Sequence, residues 1–266
     1  MLETTSEADR GPWQEPSGMP PVRVATYDDL HAALRAGWSD FCQTPALGMM
    51  VGAIYMVGGW LLIAVLEARE LRGLTFPVIA GFALIGPFVA TVLYELSRRR
   101  EMGLGFGFND VPEIVAGTAR RQIVFLGFAL MFWLAVWIRV GLLVYALHFS
   151  ADPSGFWQMG PAFFTTMNGL SFLLVGHAFG FVFAAVAFCL TVVAFPFLLD
   201  RDADVITAVV TSFKTVLASP LVMGTWAVMI AVVMAVASIP LFLGFLVALP
   251  VLGHASWHLY RRLVAA

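Results

Sequence analysis

Five apolar blocks separated by arginine-bearing or glycine- and proline-bearing stretches leave this chain few folds to choose from. They cover residues 46–66, 76–96, 123–149, 170–199 and 221–264. One helical crossing of a bilayer takes about 20 residues, so the first four blocks each fit one helix. The last is about twice that length, and Pro240 and Gly244 near its middle predict a tight hairpin at 238–244. The expectation is an all-α membrane protein with six transmembrane helices, near 46–66, 76–96, 123–149, 170–199, 221–239 and 242–263. Composition agrees: 60% of the residues are hydrophobic and only 12% charged, with a mean hydropathy of +0.87. A water-soluble chain of this length could not cover so much apolar surface.

Arginine placement predicts the orientation. Residues 1–27 are polar and acidic, carry Pro12, Pro16, Pro20 and Pro21, and lack the basic-then-apolar start of a signal peptide. They read as a disordered cytoplasmic tail ahead of a membrane domain at 28–266. With the tail inside, the inner side receives Arg10, Arg23, Arg35, Arg98, Arg99, Arg100, Arg120, Arg121, Arg201, Lys214, Arg261 and Arg262. The outer side keeps Arg69 and Arg72, beside Glu67 and Glu70. That asymmetry fits the positive-inside rule and places both termini in the cytoplasm of a bacterial inner membrane.

A weak internal repeat follows the same plan. Leu30, Ala33, Leu34, Gly37, Trp38 and Phe41 share one face of a helix before the first crossing. Val205, Val209, Val210, Phe213, Val216 and Leu217 do so before the fifth. A shift of 175 positions lays Asp29 on Asp204, Ala33 on Ala208 and Pro45 on Pro220. A shorter version at 110–121 precedes the third crossing. The unit is an amphipathic helix on the inner surface followed by a membrane hairpin, used three times in one orientation, unlike the inverted repeats of many transporters. Duplication and chance likeness of amphipathic segments both remain open.

Few residues could carry chemistry. His254 and His258 share a helical face, but the spacing lacks the glutamate of a zinc-protease helix. Trp257, Tyr260, Arg261 and Arg262 around them read as an interfacial belt. His177 lies within Gly176-x-x-x-Gly180, a small-residue spacing that brings helices close and that Gly48-x-x-x-Gly52 repeats. A bis-histidine haem needs two imidazoles at one depth. The expected topology offsets His177 from His254 by roughly 6 Å and from His258 by roughly 12 Å, so no cofactor and no metal are expected. Cys42 and Cys189 lie far apart and read as unpaired thiols. Gly103 to Gly107 is no phosphate loop, lacking a strand before it and a lysine after it. Asp200, Asp202 and Asp204 lack the glycine and glutamate of a calcium loop. They read as the acidic start of the amphipathic helix. No nucleic-acid signature is present.

Arg139 is the one charge well inside an apolar block. Two readings compete for it: an outer-leaflet ion pair with Glu67 or Asp152, reached by snorkelling, or a transport role. The outer loop at 150–168 carries Phe156, Trp157, Phe163 and Phe164. These either dip into the interface or anchor a partner.

The stretch AGWSDFCQTPALGMMVGAIYMVGGWLL, with PLFLGFLVALPVLGHASWHLYRRLV at the C-terminal end, resembles the bacterial integral membrane family called domain of unknown function 2189. The likeness runs over roughly residues 29–264, and it implies a six-helix inner-membrane protein. Some members carry a cytochrome c oxidase subunit label, but five scattered histidines cannot supply a haem-copper centre. The sequence therefore leads to a non-enzymatic accessory, assembly or structural partner of another membrane complex, a respiratory one among the candidates. The alternative is a small-solute or ion transporter using Arg139 and His177.

Overall fold

The computed structural model describes residues 20–69, 75–82, 85–105, 120–149 and 162–264. The described residues form helices α1 (Tyr27–Gln43), α2 (Pro45–Ala68), α3 (Thr75–Phe82), α4 (Gly86–Val89), α5 (Thr91–Glu101) and α6 (Arg120–His148). They continue with α7 (Ala162–Thr165), α8 (Met167–Thr191), α9 (Ala194–Asp200), α10 (Val205–Ala218), α11 (Pro220–Ser238) and α12 (Phe245–Leu263). Four membrane-length apolar segments lie among the described residues: α2, α6, α8 with α9, and α11.

α1 starts where its capping chemistry dictates. The Thr26 hydroxyl accepts from the Asp29 amide, and the Asp29 carboxylate accepts in return from the Thr26 amide at 3.0 Å. This capping box satisfies two amides that a helix start leaves open. The buried stripe of α1 comprises Asp29, Leu30, Ala33, Gly37, Asp40 and Phe41, at steps of three and four. It packs antiparallel along α12. At Gly37 an added Cβ would sit 2.5 Å from the Ala255 amide nitrogen, so only glycine allows that approach. Val22 bridges Val264, and the Arg23 amide donates to the Leu263 carbonyl at 2.8 Å. Residues 20–26 thus belong to the fold, a correction to a disordered tail extending to 27. Residues 1–19 lie outside the described residues.

The chain turns at Thr44, and Pro45 opens α2 at a position where a missing N–H costs nothing. α2 then continues along α12. Gly48 meets the Pro250 ring, Gly52 the Phe245 carbonyl and Gly59 the Phe242 ring. The small-residue spacing at 48–52 is therefore a close helix contact. The one at 176–180 is much less so, since a Cβ on Gly176 would meet nothing and one on Gly180 only the Trp137 ring.

Two expected helices are broken. The block at 76–96 becomes α3, α4 and α5, with Gly81 near the end of α3 and the Gly86–Pro87 pair opening α4. Proline offers no amide to the preceding turn, and glycine is a weak helix former because it loses the most backbone freedom on ordering. The fragments retrace α6 in the opposite direction, with Gly81 against Leu134 and Trp137, and Phe88 against Gly127. Gly103, at φ +69°, ends the run after α5. The block at 170–199 divides at 192–193 into α8 and α9, where the Thr191 hydroxyl bonds back to the Ala187 carbonyl at 2.7 Å and Pro196 follows.

The hairpin expected at 238–244 is present between α11 and α12. Leu241 (φ 52°) and Phe242 (φ 65°) take left-handed backbone there without being glycine. The Trp60 indole holds the turn by donating to the Leu241 carbonyl at 2.9 Å.

The 175-residue shift has a counterpart in backbone geometry. Thr44 (φ −128°, ψ 47°) and Ser219 (φ −149°, ψ 62°) make matching bends before Pro45 and Pro220. Ala33 and Ala208 are both fully buried. The aspartates differ in role: Asp204 is itself the N-cap of α10, whereas Asp29 stands three residues inside α1.

Candidate functional site

The arginine-rich end of the bundle holds a buried polar cluster built by α1, α5, α9 and α12. Asp40 is its centre, carried on the apolar stripe of α1 between Gly37 and Phe41. Its Oδ2 accepts from the Ser97 hydroxyl at 2.6 Å and from His258 Nε2 at 2.8 Å, and its Oδ1 accepts from Arg100 Nη1 at 2.5 Å. His258 Nδ1 lies 3.4 Å from Glu101 Oε1, so one imidazole bridges two carboxylates. Arg261 extends the network from Glu101 to Asp200, and Asp200 also accepts from the Tyr260 hydroxyl at 2.7 Å. On the same stretch of α5, buried Glu95 grips Arg98 and Arg99 at 2.7 and 2.8 Å.

Proton positions follow from counting. Ser97 has one hydroxyl proton and directs it to Asp40. His254 Nδ1, 2.8 Å from the same oxygen, must therefore be the donor. His254 Nε2 is buried with no hydrogen-bond partner among the described residues. His258 lies beyond Pro250, on the half of α12 that stands beside α1. Burial works against its charge, but the bonds to Asp40 and Glu101 outweigh that and push its pKa up to about 9. Burial likewise opposes the Asp40 carboxylate, and His258 and Ser97 more than compensate, so its pKa lies below the ordinary aspartate value. Glu101 is lowered in the same way by His258 and Arg261.

Asp, Ser and His in contact invite comparison with a hydrolase triad, but the order differs. In a triad the histidine lies between the other two and takes the serine proton. Here the serine is in the middle, gives its proton to the carboxylate and is buried. The arrangement fastens α1 to α5 and α12. His254 and His258 are thereby turned toward different partners rather than toward one ion. Among the described residues no group of three or more His, Cys, Asp or Glu is arranged to hold a metal.

The other sequence candidates stand apart. Arg139 is exposed on α6, and no hydrogen bond or ion pair joins it to Glu67 or to another described residue. Asp152 lies outside the described residues. His177 is exposed on α8, its Nδ1 2.7 Å from the Leu173 carbonyl of its own helix. Phe163 is buried, stacked on Phe172 with centroids 5.5 Å apart and edge-on to Phe149, while Phe164 is exposed. Phe156 and Trp157 lie outside the described residues. Asp40, Ser97 and Glu101 went unnoticed in the sequence. The signal for Asp40 was present: a carboxylate on the apolar stripe of an amphipathic helix needs buried partners. Ser97 and Glu101 carry no such mark.

Residues 75–200 match the family model described as predicted integral membrane protein (DUF2189). The match covers the middle of the chain, between the two stretches that carried the resemblance in the sequence. No curated protein and no solved structure matches the chain.

Proposed function

We propose that this membrane protein has no catalytic site and works by contact, as an accessory, assembly or structural partner of another complex in the bacterial inner membrane. The observation that carries the reading is where the polar side chains point. Asp40, Glu101, Asp200, Arg100, His258 and Arg261 satisfy one another at the arginine-rich end, while Arg139 and His177, the residues a transport path would need, are exposed on the outsides of their helices. A permeation pathway is lined from within. Residues facing outward instead address lipid or another helix.

In the proposed topology α3 to α5 together form one return crossing and α12 the last, with His258 and the arginines after it at the inner interface beside α1. That makes six crossings with both termini cytoplasmic, in keeping with the arginine asymmetry. The test is purification in mild detergent with quantitative identification of what elutes alongside. A stoichiometric membrane partner is the expected result. Solute flux in proteoliposomes of the protein alone, abolished by Arg139→Leu, would replace this reading with the transporter.

A further inference from the structure

Arg139 lies on an open face of α6 beside Phe132, Ala135, Val136, Val140 and Leu143, all apolar. Ala135 makes a notch in this face, which belongs to a longer exposed stripe on α6. Phe125, Phe128 and Phe132 project on one side of the notch and Leu143 and Leu147 on the other. A guanidinium cannot be deprotonated in a protein, so in a layer without water it needs an anion.

Depth decides which anion. α6 has 29 residues, about 43 Å of helix at ~1.5 Å per residue against ~30 Å of hydrocarbon. Arg139 precedes His148 by nine residues. It therefore sits roughly 7 Å inside the apolar layer if the helix is centred. Helical Cβ atoms tilt toward the N-terminus, so this side chain sets out toward mid-membrane and away from the nearer headgroups. A lipid phosphate is poorly placed for it. A second copy is worse, because a twofold contact on this stripe opposes two arginines. The apolar interiors of α2, α6, α8 and α11 also carry no Asp or Glu to offer.

We propose that this face of α6 docks a transmembrane helix of a partner protein that bears one carboxylate level with Arg139 and a bulky apolar residue that fills the notch over Ala135. This rests on the contact reading above and names the chemistry of the contact.

The test uses the full chain in phosphatidylcholine nanodiscs and a synthetic leucine-alanine helix of about 20 residues. The helix carries Asp or Leu at the matching depth, and association is read by energy transfer between dyes. The Asp helix should bind about tenfold more tightly than the Leu helix. Arg139→Leu should erase the difference and Arg139→Lys should keep most of it. Equal binding of the two helices by the wild-type chain would overturn the proposal. So would loss of the difference on adding phosphatidylglycerol, which would make a lipid phosphate the occupant. A tenfold gain in Asp-helix binding on Asp152→Asn would assign Arg139 to its own chain, again overturning it. A partner that still co-purifies with Arg139→Leu at wild-type yield would sink this docking site and leave the contact function standing.

Discussion

At the scale of single residues, Asp40 does the most to hold the arginine-rich end together. Its carboxylate accepts from Ser97, His258 and Arg100, and each of those donors would lose a bond with it. Asp40→Asn keeps the shape but removes the charge. It should cost about 2 kcal/mol, in the range for charged hydrogen bonds left unmade, read as a lower unfolding temperature in detergent. Ser97→Ala strands the His254 Nδ1 proton donor and should cost about 1–3 kcal/mol. Both variants should leave the helix content of the folded protein unchanged.

The same residues give the protein a pH dependence with two limbs. Asp40 and Asp29 are lowered against the ordinary aspartate value of 3.8. At Asp29 burial opposes the charge, and Thr26 and Arg23 more than offset it. A depressed carboxylate contributes stability that is present above its unfolded pKa and lost as pH falls through the folded one. This limb therefore lies below about pH 4. His258 is raised from 6.5 to about 9, so its contribution is complete below pH 6.5 and drains away as pH rises to about 9. Thermal stability should fall between pH 6.5 and 9. His258→Gln should flatten that limb and leave the acid limb in place; an unaltered slope in this variant would count against the imidazolium bridge.

At the scale of elements, α1 depends on how closely it approaches α12. Gly37→Ala would put a methyl carbon 2.5 Å from the Ala255 amide nitrogen, and Gly52→Ala would put one 2.5 Å from the Phe245 carbonyl. Both obstacles are backbone and cannot rotate away. Each change should destabilise by about 1–3 kcal/mol, as overpacking does. Gly176→Ala is the control. Its Cβ meets nothing, so relief of helical glycine should leave stability unchanged or raise it by up to about 1 kcal/mol. The α11–α12 turn supplies a contrast in the other direction. Leu241 is exposed at φ 52°, so Leu241→Gly should be neutral or stabilising by about 1 kcal/mol. Phe242→Gly should destabilise despite φ 65°, because that ring is buried and stacks on Phe245 at 5.3 Å. Chemical denaturation of the matched variants checks the pair.

At the scale of the whole molecule, the proposed topology places Gly105 and the C-terminus on the cytoplasmic side and the loop around Pro153 outside. A reporter active only in the periplasm should work when fused after Pro153 and fail after Gly105 or at Ala266. Periplasmic activity from the Gly105 fusion would reverse the orientation that the arginine distribution implies.

The sequence by itself determined that the chain is helical and lives in a bilayer, because apolar length and the scarcity of charge leave no other solvent for it. Local chemistry likewise placed the 238–244 hairpin and the starts of α2 and α11, since Pro45, Pro220 and Pro240 act on their own neighbours. The tertiary structure decided everything that needs two distant segments to meet. Ser97 and His254 are 157 positions apart, and Asp40 and His258 are 218 apart. No local pattern can announce which donor answers a buried carboxylate. It also separated two small-residue spacings that read alike, since closeness belongs to the facing helix: Gly52 has the Phe245 carbonyl opposite it, and Gly176 has nothing. The breaks at Gly86–Pro87 and at 192–193 fall inside blocks whose apolar composition masks them. Hydropathy reports the solvent a segment prefers, and it is blind to the single backbone hydrogen bond that proline or threonine disturbs.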